Sequence, residues 1–263
     1  MPKIPLPDFT MAFDDVGSGK AILFIHGYPL TRKMWQPQLD GLSSSVRVIA
    51  PDLRGHGEST PTKGVYSMDL LARDCHYLID HLNIEKVYLC GLSMGGYISL
   101  AFARIFPQHL AGLILTATRA SADSEEGKIN RERAIESAQK NGIIPIIETM
   151  IPRLLSPYTF QHQPQLADEL RQIMQNVTLD AVIGDLSGMK ARPDSRAYLH
   201  EINVPTLIIH GKDDQLIPVA EVQEMSSAIP HSQLVLLDHC GHLPNLEAKD
   251  LFNQIILNFV NQN

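Results

Sequence analysis

Cysteine is scarce in this chain. Cys75, Cys90 and Cys240 are odd in number and share no C-x-x-C spacing, which fits free thiols in a reducing cytoplasm better than a disulfide framework. Positive charge is short as well: 22 Lys and Arg stand against 29 Asp and Glu, a net charge of −7 with histidine neutral. An acidic chain without a basic run argues against nucleic acid or an anionic membrane as partner. No apolar stretch approaches the length of a membrane span. The proline-rich start, Met1 to Pro7, lacks the apolar core of a secretion signal, so a cytoplasmic location is expected. Internal repeats and low-complexity tracts are also missing.

What remains is an ordinary globular composition, 44% hydrophobic and 19% charged over 263 residues, enough for a sizeable core. Short apolar runs recur at 21–25, 46–50, 87–90, 113–115, 206–209 and 234–237, each followed by turn residues and a helical pattern. Their apolarity is continuous rather than alternating, as strands covered on both faces require. The pattern predicts an α/β fold, a doubly wound and mostly parallel sheet, with helices at 33–43, 67–82, 94–106, 218–228 and 245–261. Residues 9–16 read as an antiparallel edge strand. From Arg119 to His200 the rhythm breaks: no core-type strand occurs, and eighty residues exceed what a strand-to-helix connection needs. A single α/β core is therefore expected over 1–118 and 201–263, split by a helical cap insertion over 119–200.

Residues 91–95, Gly-Leu-Ser-Met-Gly, fall where an apolar strand meets a helix that Pro107 stops. A serine on so sharp a turn is strained, and glycines two before and two after it let strand and helix approach without Cβ clashes. The turn lifts the Ser93 hydroxyl above the sheet and aims a helix N-terminus at an oxyanion beside it. An activated serine needs a base, and the base needs an orienting carboxylate. On a doubly wound sheet both belong just past the C-terminal ends of later strands. There the chain carries Asp214, after strand 206–209, and His242, after strand 234–237.

The order Ser93, Asp214, His242 is that of α/β-hydrolases, and nearly the whole chain resembles the capped carboxylesterase and enol-lactonase branch of that superfamily. His26-Gly-Tyr-Pro29 is similar to its oxyanion loop, and residues 51–59 to its D-x-R-G-x-G-x-S segment. Residues 91–96 resemble its nucleophile elbow, Gly211-x-x-Asp214-x-x-x-Pro218 its acid loop, and Gly241-His242 followed by Glu247 its histidine loop. The resemblance implies an oxyanion hole from the backbone N–H groups of Tyr28 and Met94. It also implies hydrolysis of a small carboxylic ester or lactone with no cofactor and no metal. Two other outcomes are compatible with the motifs. One is perhydrolase, haloperoxidase-like or C–C bond hydrolysis on the same triad; the other is a small-molecule receptor that retains the fold. A serine nucleophile disfavours the dehalogenase and epoxide hydrolase chemistries of this fold.

Plainer roles compete for several residues. Ser93 could be only a helix N-cap, Asp213 could replace Asp214, and His239, Cys240 and His242 superficially resemble metal-ligand spacing. His26 and His56, in glycine turns, read as structural hydrogen-bonders. Arg119, just beyond strand 113–115, either holds a substrate carboxylate or pairs with a cap carboxylate. In the cap, Met150 and Leu154 are expected to line the acyl pocket, with Pro145 and Pro152 breaking this stretch into short segments. The competing role is to glue cap to core.

Overall fold

The computed structural model describes residues 2–263. Eight strands form one sheet: β1 (Lys3–Pro5), β2 (Thr10–Val16), β3 (Ala21–Ile25), β4 (Arg47–Pro51), β5 (Val87–Leu92), β6 (Leu110–Thr116), β7 (Thr206–Gly211) and β8 (Ser232–Leu237). Their order is β1-β2-β4-β3-β5-β6-β7-β8, parallel from β4 to β8 and antiparallel at the β1 and β2 side. Every residue of β3, β5 and β7 is buried, which is why these strands read as unbroken apolar runs. Residues 9–16 are antiparallel as expected, but the edge itself is β1, which pairs outside β2. Its three residues, Lys-Ile-Pro, are too few and too polar to register as a strand.

Helices α1 (Gln36–Leu42), α2 (Met68–His81) and α3 (Met94–Ile105) connect the first parallel strands. Five more fall between β6 and β7: α4 (Glu125–Asn141), α5 (Ile144–Leu154), α6 (Pro157–His162), α7 (Gln165–Met174) and α8 (Leu179–Ala191). They form the cap, α4 packing on α5 and α8, and α5 on α7. Polar N-caps start most of them: Ser124, Ser156 and Thr178 each accept a backbone N–H of the following turn. Pro145 and Pro152 do not divide α5. Pro145 occupies the first turn, where no N–H is needed, and Pro152 lies near the C-terminal end, where only one intrahelical bond is lost. After β7 come α9 (Val219–Ala228), then α10 (Pro244–Glu247) and α11 (Lys249–Gln262). The last pair replaces the single helix expected over 245–261, and the break falls at Ala248 (φ −132°, ψ 47°).

Crossovers leave β3 in one direction and β5 in the other, so the crevice beyond the C-terminal ends of these paired strands is the switch point where such sheets bind ligands. No helix of the described residues is long and apolar enough to cross a membrane.

Candidate active site

Ser93 follows β5 directly, with φ 56° and ψ −112°, a region an L-residue occupies only when its surroundings hold it there. Backbone bonds on both sides do so: Ser93 N–H donates to Thr116 O (2.9 Å), and Thr118 Oγ1 donates to Ser93 O (2.8 Å). The flanking glycines are dictated by contact. A Cβ on Gly91 would lie 2.2 Å from Gly95 O, and one on Gly95 would lie 2.2 Å from Ile25 O. The Ser93 side chain makes no capping bond to α3, so the N-cap role is not what places it.

Asp214 and His242 come together from the loops after β7 and β8. His242 Nδ1 donates to Asp214 Oδ2 at 2.7 Å, and Asp214 Oδ1 accepts the backbone N–H groups of Leu216 (2.8 Å) and Ile217 (3.1 Å). A carboxylate only accepts, so Nδ1 carries the proton and Nε2 is left as the basic nitrogen. Burial pushes the Asp214 carboxyl up, but His242, the Leu216 amide and His210 outweigh it and hold it below the usual carboxylate range. Asp213 is exposed, and its backbone N–H donates to Cys240 O at 2.9 Å.

His210, at the end of β7, is a residue the motifs did not single out. Its Nε2 donates to Ile217 O (3.0 Å), and its Nδ1 stands 3.8 Å from Asp214 Oδ2. The two histidines of the glycine turns are fully buried and partnered. His26 Nδ1 donates to Gly27 O and its Nε2 accepts Leu53 N–H, both at 3.0 Å. His56 Nε2 meets Asp185 Oδ2 of α8 at 3.0 Å, both side chains wholly buried, which joins core to cap. Burial lowers the His56 pKa, yet the Asp185 carboxylate outweighs it and raises the net value.

A cavity of about 520 Å³, within the usual range for small-molecule sites, opens onto Ser93 and His242. Tyr28 lines its core side, Arg119 the connection from β6 into the cap, and Arg131, Ile146 and Met150 its cap side. The loop bearing Tyr28 abuts the serine: a Cβ on Gly27 would lie 3.3 Å from Ser93 Cβ. Met94 is the first residue of α3, where helical N–H groups lack intrahelical acceptors. Leu154 does not line the cavity. It is fully buried in the core, and its carbonyl accepts the His242 N–H at 2.9 Å. It sits four residues, about one turn, beyond Met150, but the end of α5 runs down into the histidine loop and takes Leu154 with it.

Arg119 both faces the cavity and pairs with a cap carboxylate, Asp123, at 2.9 Å. Its Nε is buried and has no hydrogen-bond partner among the described residues. Asp123 also holds Arg131 and, at 2.7 Å, Arg192. Burial pushes its carboxyl up, but Arg131 and Arg192 prevail and bring it down to about 2. Asp123 is thus shared by three guanidiniums, of which Arg119 is also acted on by Glu221 and Arg131 by Asp185. The Arg119–Asp123 pair is four residues apart and is one of the two roles expected for Arg119, whereas Arg192 reaches Asp123 from 69 residues away.

Fold and site define a class, and comparison with known proteins agrees. The model of the alpha/beta hydrolase fold matches residues 20–140 and 185–249, more than half of the chain, which therefore belongs to that family. The chain is 39% identical to a thermophilic esterase from Thermogutta terrifontis, solved with malate bound, with a TM-score of 0.97 over 100% of this chain and 99% of that one. It is 29% identical to 3-oxoadipate enol-lactonase 2 of Acinetobacter baylyi over 90% of this chain and 86% of that protein. A non-heme chloroperoxidase of Kitasatospora aureofaciens is 28% identical over 95% of each.

Proposed function

We propose that the protein hydrolyses small carboxylic esters or lactones through an acyl-enzyme. The observation that carries this reading is the 2.7 Å bond from His242 Nδ1 to Asp214, made beside the same cavity that exposes Ser93 on its strained turn. In the proposed reaction His242 Nε2 takes the Ser93 proton as Oγ attacks the acyl carbon. The N–H groups of Tyr28 and Met94 receive the developing oxyanion, the largest electrostatic contribution to such a step. His242 then protonates the leaving alcohol or ring oxygen, and water cleaves the acyl-enzyme by the same route. Asp214 keeps the imidazole in the required tautomer and stabilises its charged form.

The substrate side follows from the wall. Met150 and Ile146 offer apolar surface to an acyl chain, each buried methylene adding up to about 0.8 kcal/mol until the space is full. Arg119 supplies a guanidinium for a carboxylate on the substrate, supported by its place on the cavity wall and by its buried Nε, which has no partner among the described residues. The similarity to a chloroperoxidase favours perhydrolysis as a second reading, with peroxide in place of water at the acyl-enzyme. Fluorophosphonate labelling followed by rates on graded p-nitrophenyl esters and several lactones, with and without peroxide, tests both. Labelling and ester or lactone turnover without peroxide are expected. Turnover only with peroxide would transfer the function to the second reading, and binding without turnover would make the protein a receptor.

A further inference from the structure

We propose that Glu247 is a positioning residue for His242: its carboxylate ties the histidine loop to the cap, so that the cap helps hold the general base in place. The proposal rests on the triad reading above. Glu247 is the last residue of α10, buried, and its two oxygens face different parts of the protein. Oε1 accepts the N–H groups of Gly241 (2.9 Å) and Leu243 (3.2 Å), the residues on either side of His242. Oε2 accepts Ser156 N–H (2.8 Å) and Thr159 Oγ1–H (2.7 Å), at the start of α6 in the cap. No Lys or Arg nitrogen lies within ion-pair distance of this carboxylate among the described residues, so these donors provide its local stabilisation.

Other bonds run along the same seam. His242 N–H donates to Leu154 O at 2.9 Å, and Ser156 Oγ donates to His239 O at 2.7 Å. The two backbones touch: a Cβ on Gly241 would lie 2.7 Å from Ser156 N and 2.9 Å from the Leu155 carbonyl carbon. The backbone on both sides of His242 is thus anchored to one carboxylate, and that carboxylate is anchored to residues 156–159. A glutamate is required because four donors converge on two accepting oxygens. A glutamine has one accepting oxygen, and its NH₂ group would face N–H or O–H donors on the other side. Whichever way it turned, one half of the tie would be lost and a buried donor left unpaired.

Displacement of a catalytic group by about 1 Å can cost about 100-fold in rate. Glu247→Gln is therefore expected to lower kcat by about 10- to 100-fold on a short p-nitrophenyl ester, with KM changed by no more than about threefold. The far-downfield proton resonance of the His242 Nδ1–H should shift or broaden in the variant. Thr159→Val, which removes a single donor from the cap half, should lower kcat by about two- to fivefold with the same change of resonance in smaller degree. Folded Glu247→Gln protein with wild-type kcat and an unmoved resonance, altered only in melting temperature, would overturn the proposal. If Glu247→Gln does not fold, Thr159→Val decides in the same way: an unchanged kcat and resonance overturn the role. Wild-type protein that resists fluorophosphonate labelling would instead sink the triad reading, which keeps the two failures apart.

Discussion

The two walls of the cavity are built on different principles. On the core side Tyr28, Ser93 and His242 lie within a few residues of strand ends, and backbone hydrogen bonds hold Ser93 and His242. On the cap side Arg131, Ile146 and Met150 reach in from α4 and α5 on side chains with several rotatable bonds, and the charged ones are shared around Asp123. Groups that must be placed to a fraction of an ångström are carried by short side chains on rigid turns, whereas groups that recognise a substrate can be longer and more adaptable. Changes on the core wall should therefore act on kcat, and changes on the cap wall on KM and chain-length preference.

The sharpest test is Ser93→Ala. Turnover should fall by about 10⁶-fold and fluorophosphonate labelling should vanish; persistent labelling would remove Ser93 from the mechanism. Next comes the acid. Asp214→Asn should lower kcat by about 10⁴-fold, because the amide favours the wrong histidine tautomer, while exposed Asp213→Asn should stay near wild type. Steady-state rates on one ester settle which carboxylate orients His242.

The cap wall is tested by two neighbours on α5. Met150→Ala should move the optimum of kcat/KM along a series of p-nitrophenyl esters, since Met150 lines the cavity. Leu154→Ala should leave that optimum in place and cost about 2–5 kcal/mol of stability, as truncation of a fully buried leucine does. An optimum displaced equally in both variants would erase the distinction between lining and glue. The smallest effect concerns pH. Asp123 is held down to about 2 in the folded protein, so its stabilising contribution is present above the ordinary aspartate value and is lost as pH falls toward 2. The urea midpoint of wild type should exceed that of Asp123→Asn by an amount worth about 2 kcal/mol near neutrality, and the gap should close between about pH 4 and 2. A gap that stays constant across that range would mean that the ionised Asp123 is not what stabilises the cluster.

Legibility in the sequence divides along the same line as the two walls. The parallel strands and the positions of Ser93, Asp214 and His242 were readable because each depends on a local feature: an apolar run, a glycine pair, a residue just past a strand end. The errors arose where a distant contact decides. Ala248 carries no breaking residue, yet the helix divides there where Glu247 turns back to bind the backbone at 241 and 243. Leu154 and Met150 share a helix face by spacing, but only the packing of α5 against the histidine loop separates lining from core. His210 beside Asp214 was also missed, since a histidine inside a buried strand looks like any other core residue until the loop after it folds back.

The order and spacing of motifs along the chain determined the fold class and the proposed reacting groups. These follow from backbone geometry, in which a strained turn and the end of a strand place a side chain within a few residues of the motif itself. The tertiary structure alone decided how Arg192 joins Asp123 and how Glu247 joins the histidine loop to the cap. The physical reason is sequence separation. Residues up to 91 positions apart meet on one carboxylate, and no local pattern encodes a contact that exists only once the cap has packed onto the sheet.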